Sequence, residues 1–379
     1  MLNVKRGSST YTDSHQAALE VVKEIHQDNP QIVLFFASSI YNFQTVHDVF
    51  RSHFKNTIVA GCTSQGEITT QLGYGEHSLS ALSISSDDFQ IAPVLCKNVS
   101  KQSMLYKNTI VKAMQSIDLN PSDPRLSKKG FALALIDGLT ASEEKVMMMM
   151  DYLLEGNAFN LIGGSAGTLD KVGSSYISLN DEIETDAALL IFIRTNKPFM
   201  IYKENIYEPT GDTYLVTHAN LRNRTIYEIN NRPATEVFAG ALNTSSNLLD
   251  SNLFASNPIA RLNNNELFIA SPFAVQKDGS IQFYSQIPNG TPIRFMKKMD
   301  ASLVARQTAN QISSTLARPK LILGFNCILR HLQFKNEKSS KQLFDILDHV
   351  APFFGFTTLG EQYGTEHINQ TLTLLALGE

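Results

Sequence analysis

Short apolar runs recur along the chain, each followed by an amphipathic stretch and then by a glycine-rich turn. Residues 31–36, 131–136 and 320–325 are such runs, the pattern of buried strands. After the first, Phe43, Val46, Phe50 and Phe54 share one helical stripe. After the second, Thr140-Ala-Ser-Glu143 has the spacing of a capping box, and Val146, Met149, Met150 and Leu153 form the stripe. After the third, Leu343, Phe344, Leu347 and Val350 do the same. Turns then follow at 58–67 (IVAGCTSQGE), 160–167 (NLIGGSAG) and 352–361 (PFFGFTTLGE), and each leads to a further strand, at Leu79–Ile84, Ala187–Ile193 and Thr371–Leu377. The pattern predicts one unit of strand, helix, strand with glycine turn, strand, used three times.

The remaining text fills in around these units. Residues 1–12 read as a polar lead, and Asp13-Ser-His-Gln16 opens a helix with Ala18, Val21, Val22 and Ile25 on one side. A strand is expected near 90–95, a weak helix near 104–117, and strands at 202–207 and 213–217. The character changes near 210–222. Beyond it, 225–229 reads as a strand, 234–241 as a short helix, and the asparagine-rich 243–265 as a surface loop or lid. Strands at 267–275 and 280–287 are joined across Lys277-Asp278-Gly279, a hairpin signal, and a helix is expected at 301–316. The fold class is α/β, with two domains of mixed sheets and helices packed on them. The expected division is 1–30 as lead and helix, 31–217 as the first domain and 218–379 as the second.

Bulk properties narrow the function. A chain of 379 residues exceeds one ordinary core. Net charge of −4 and pI near 6.2 argue against a nucleic-acid partner. Cys62, Cys96 and Cys327 have neither disulfide-framework nor metal spacing, which suits a reducing cytoplasm. No apolar run approaches the ~18 residues of a membrane span, so no membrane partner is expected.

Candidate chemistry gathers at the turns, where glycines let backbone N–H groups and hydroxyls approach a polar or anionic ligand. The first and third turns share Gly-x-Thr-[Ser/Thr]-x-Gly-Glu, so Thr63, Ser64, Thr357 and Thr358 are candidate ligand contacts, with Cys62 lining the pocket or packing behind it. Glu67 and Glu361 occupy equivalent places and either recognise the ligand or close their turns. Arg330 follows Cys327 by three positions. It either meets a ligand carboxylate with its donor fork or holds a carboxylate of the protein. Gly163-x-Ser165-x-Gly167 matches the nucleophile elbow of serine hydrolases, which requires a helix after the strand, but 168–175 has no helical stripe. Met147–Met150 read as core filler. His15, His26, His47 and His53 read as surface residues of helices.

These residues together resemble the FIST family of sensory domains in signalling proteins. Gly61-Cys-Thr-Ser-Gln-Gly-Glu-Ile68 is similar to the hallmark of its N-terminal domain, and Asp137-Gly138 with Gly163–Gly167 to a second. Phe325-Asn-Cys-Ile-Leu-Arg330, Gly355–Glu361 and Asn369-Gln370-Thr371 resemble its C-terminal domain. The resemblance implies a ligand-binding sensor without chemistry of its own, in contact with a partner protein and compatible with a homodimer. The ending from Gly360 to Thr371 resembles a subset that binds haem, senses nitric oxide and controls a histidine kinase or a cyclic-di-GMP enzyme. Haem b is then the expected cofactor, with His367 as the axial ligand and His218 and His349 as fallbacks. A non-haem sensor of an amino acid or similar anion, held by Thr63, Ser64, Thr357, Thr358 and Arg330, is the alternative. A hydrolase using Ser165 is the third reading.

Overall fold

A computed structural model describes residues 2–168, 173–263 and 265–379. It divides into two compact units. One contains residues 1–204, 305–366 and 372–379; the other contains 205–304 with 367–371. The sequence change near 210–222 therefore does not separate the third repeat from the first two. All three repeats belong to one unit, and the intervening residues form the other.

Each repeat has a first strand, a turn strand parallel to it, and a return strand antiparallel to it. In the first repeat these are Ile32–Ser38, Ile58–Ser64 and Leu79–Ser86. In the second they are Gly130–Asp137, Asn160–Ala166 and Ala187–Arg194. In the third they are Pro319–Cys327, Phe353–Thr358 and Thr371–Gly378. The first strands read as unbroken apolar runs because both faces are buried. Ile32, Leu34 and Phe36 join Phe131, Leu133, Leu135, Leu321, Leu323 and Phe325 in one inner core shared by the three sheets. The alternate residues Val33, Phe35 and Ala37 pack outward against the helices of their own repeat, as Ala132, Ala134 and Ile136 do in theirs.

Short hairpins then exchange between repeats. Glu67–Thr69 with Gly73–Tyr74, which follow the first turn, pair with the third repeat's turn strand. Ile177–Leu179 with Glu182–Glu184, from the second repeat, pair with the first. Glu361–Tyr363, from the third, pairs with the second. Each repeat completes the next one's sheet, so the three close into a cycle.

Several local expectations change. The lead is a strand, Leu2–Ser9, running antiparallel along Leu79–Ser86; as an edge strand it tolerates its polar residues. The helix after Thr140 begins at Glu143, with no side-chain cap bond from Ser142, because Ala141 turns left-handed at φ 51° and ends the capping-box geometry. A helix missed in the sequence, Ile328–Asn336, precedes the expected one at Ser340–Asp348. His47 is buried at 2% exposure, its Nε2 2.6 Å from the carbonyl of Asn180, rather than on the surface.

The second unit is built on one eight-stranded sheet around Tyr207–Asn220 and Pro292–Lys298. Its core centres on Phe238, whose ring meets Phe254, Phe283 and Phe295 edge-on. The expected loop at 243–265 contains the helix Ser251–Ser256, capped by Asp250, and the strand Ile259–Asn263. Phe254, Ile259 and Ala260 are fully buried, and that burial orders a segment whose asparagines suggested a loop.

Candidate functional site

The three glycine turns meet one another through their backbones. Thr63 donates its N–H to Tyr176 (3.1 Å) and accepts from Gly167 (3.3 Å). Ser165 donates to Gly360 (2.8 Å) and accepts from Leu359 (3.1 Å), and Thr357 donates to Gly66 (2.7 Å) and accepts from Gln65 (3.2 Å). Thr63, Ser165 and Thr357 thus hold equivalent positions, each bonded to the neighbouring repeat. Glycine is needed where these backbones touch. A Cβ on Gly66, which has φ +138°, would lie 2.5 Å from the carbonyl oxygen of Gly75.

The side chains divide into two sets. One closes the turns. Glu67, fully buried, accepts hydrogen bonds from the hydroxyls of Ser64 and Ser78. Burial pushes its pKa up to about 8, against the opposing pull of those hydroxyls. Glu361 accepts from the Thr358 hydroxyl at 2.6 Å. Cys62 is fully buried in the inner core, its pKa raised by burial and then by Glu67. Ser165 lies inside its strand, donating to Glu143 and accepting from Gln362, both at 3.1 Å. Ser165 is one residue before the end of that strand; of the stretch that follows, 169–172 lie outside the described residues.

The second set centres on Arg330, in the helix that follows the first strand of the third repeat. Cys327 leaves its strand and caps the helix Ile328–Asn336, which places Arg330 in the first turn at 1% exposure. Its guanidinium lies over the ring of Phe334, 4.8 Å from the centroid. Its Nη2 is ion-paired with Glu204 Oε1, from the strand Phe199–Asn205. The other guanidinium nitrogens, Nε and Nη1, have no partner, nor do Glu204 Oε2, Asn326 Oδ1 and Thr357 Oγ1. All four residues are at most 1% exposed. Tyr74, on the exchanged hairpin, is held well above the usual phenol range by burial first, with Arg330 pulling it down and Glu204 pushing it up. It packs edge-on against Phe344 and Phe353 and lines a cleft of about 300 Å³ with Leu72, Gly73 and Phe344.

The sequence thus pointed to Thr357 and Arg330 but not to Glu204 or Tyr74. Glu204 is a lone acidic residue on a mixed strand, with nothing in its pattern to announce burial. Asn326 carried a signal, as the one polar residue inside an apolar strand end, but was given no role. Thr63 is apart from Arg330. Its Oγ1 accepts from the N–H of Tyr176 at 3.0 Å, and it lines a separate cleft of about 290 Å³ with Tyr41, Phe43 and Tyr176. Another cleft, of about 650 Å³ at residues 26–31 and 52–58, contains none of the candidates.

The three histidine candidates for haem lie in different surroundings. His367 is 3% exposed and lines none of the clefts above. The exposed His218 stacks on Tyr227 at 4.8 Å, and His349, whose Nδ1 meets the Asp345 carbonyl of its own helix, lines a cleft of about 550 Å³ with Arg306, Gln342 and Ile346. Among the described residues, no group of three His, Cys, Asp or Glu could hold a metal ion, and no helix is long and apolar enough to cross a membrane.

The family model described as the FIST N domain matches residues 31–232, and that of the FIST C domain matches 234–364. No curated protein matches the chain. Among solved structures, a cyanuric acid hydrolase from A. caulinodans aligns over 100% of both chains, at 6% identity and a TM-score of 0.39. A chorismatase aligns over 100% of this chain and 98% of its own, at 6% identity and 0.36. Scores this low bear on neither fold nor activity.

Proposed function

This chain belongs to the FIST family, whose domains are sensory ligand-binding parts of signalling proteins, and from that premise we propose that it senses a small carboxylate-bearing ligand held at Arg330. The carrying observation is a guanidinium at 1% exposure with two nitrogens unpartnered, in a repeat whose neighbouring strand residues Asn326 and Thr357 also bury unpartnered oxygens. Leaving a buried donor or acceptor unpaired costs about 1–3 kcal/mol. A carboxylate would relieve the guanidinium with two charge-assisted hydrogen bonds. The Thr357 hydroxyl and the positive end of the helix Ile328–Asn336 both favour the same charge.

Thr357 also links the site to the rest of the repeat cycle. Its backbone bonds to Gln65 and Gly66, at the root of the hairpin that carries Tyr74. Occupancy is thereby coupled to a segment of the first repeat, a route by which a partner such as a histidine kinase or a cyclic-di-GMP enzyme would read it. Thr63, Ser64, Thr358, Glu67 and Glu361 support the turns rather than meet the ligand.

The test is a thermal-shift panel of small carboxylates on wild type and Arg330→Met. Ligand at a hundred times Kd stabilises by about 2.7 kcal/mol. A rise in melting temperature for wild type, absent in the variant, is expected; no rise with any carboxylate at millimolar concentration would refute the reading.

A further inference from the structure

We infer that a second copy of this chain docks on the outer face of the second repeat, through Met104, Leu105, Met148 and Tyr152. The inference does not depend on what Arg330 holds. The sequence presents Met147–Met150 as core filler, and Met147, Met149 and Met150 are indeed buried beneath the helix Glu143–Leu154. Met148 is not. It is 63% exposed, and Tyr152, one turn further on, is 58% exposed. Beside them the short helical segment Ser103–Tyr106 exposes Met104 and, at 72%, Leu105.

The two elements are tied together, so the four side chains form one patch. Ser103 donates its hydroxyl to the Lys145 carbonyl at 3.4 Å, and the Lys145 ammonium donates to the Ser100 carbonyl. Lys107 lies over the Tyr152 ring, 5.5 Å from its centroid. Single exposed apolar side chains are ordinary, but a cluster of large ones marks a surface that another molecule covers. Methionine suits such a contact, because its unbranched chain adapts to the opposing surface.

Charge identifies the occupant. On the helix Glu143–Leu154 and its cap, Glu144, Asp151 and Glu155 continue the stripe of Met148 and Tyr152 at helical spacing. The helix's own Lys145 is turned to Ser100. Lys101 and Lys107 lie on the neighbouring segments Val99–Gln102 and Lys107–Ser116. The patch is therefore acidic on one side and basic on the other. A partner carrying a single sign of charge would be repelled by half of it. A second copy, turned about a twofold axis, sets each acidic side against the other's basic side and the apolar centres against each other. Four large apolar side chains make a small interface, so a Kd on the order of 10 μM is expected.

The experiment is sedimentation velocity of the full chain at concentrations on both sides of that value. Wild type is expected to pass from monomer to dimer. Met148→Lys should weaken the dimer at least tenfold at an unchanged melting temperature, because Met148 is exposed. Asp151→Lys and Lys101→Glu should each weaken it too. Their equimolar mixture should associate more tightly than either variant alone, since the mixed dimer restores acid facing lysine on both sides. A wild-type chain that stays monomeric throughout would overturn the inference, as would a dimer indifferent to Met148→Lys. A mixture no tighter than the single variants would overturn the twofold arrangement.

Discussion

Glu67 gives the fold a pH dependence that can be calculated. Its carboxyl is fully buried between Ser64 and Ser78, and its pKa is raised from 4.5 to about 8. In the unfolded chain it loses its proton near the ordinary value. Between these limits the folded state binds a proton that the unfolded state lacks, so stability falls as pH rises. The slope for this one group is about 1.4 kcal/mol per pH unit. Over the full window the loss is on the order of 5 kcal/mol, and above pH 8 it flattens. The stabilisation is thus greatest below about pH 4.5 and is lost as pH passes through the folded pKa. Glu67→Gln keeps a donor and an acceptor for the two serines but cannot ionise. The assay is urea unfolding of wild type and Glu67→Gln at intervals from pH 5 to 9. The variant's advantage should grow by several kcal/mol between pH 5 and 8 and then level off. Parallel curves across that range would refute the buried neutral carboxyl.

Other consequences are more local. Gly66→Ala should destabilise by more than about 2 kcal/mol in denaturant unfolding, given its φ of +138° and the Gly75 oxygen 2.5 Å from the new Cβ. Arg330→Met and Glu204→Gln should each cost about 3–5 kcal/mol, and the double variant less than their sum, since each single change strands a buried partner. Ser165→Ala should leave carboxylate-induced thermal shifts unchanged; loss of an esterase activity on that change would revive the hydrolase reading. Reconstitution with haem should give no Soret band that depends on His367, and a band abolished by His367→Ala would restore the haem reading.

The repeats were legible because burial imposed a regular pattern on them. Both faces of Ile32–Ser38 pack, one into the shared inner core and one against helices, and the sequence shows that as an uninterrupted run. The equivalence of the glycine turns was likewise visible, and it proved to be a cycle of backbone hydrogen bonds. The exchange of hairpins was not legible. Glu67–Thr69 is too short to carry a pattern, and nothing local states that its partner is Phe353–Thr358. The same limit hid half of the candidate site. Arg330 and Thr357 lie in recognisable motifs, but Glu204 reaches Arg330 only through a pairing 126 residues apart. Tyr74 arrives by the hairpin exchange. A tertiary contact that depends on both leaves no trace at either end of the sequence.

The most direct measurement is electron density at Arg330 in a high-resolution crystal structure of the protein soaked with the small carboxylate that most raises its melting temperature. Continuous density is expected, with a carboxylate within hydrogen-bond distance of Arg330 Nε or Nη1. Discrete water peaks at those atoms, unchanged from an unsoaked crystal, would contradict a ligand site there.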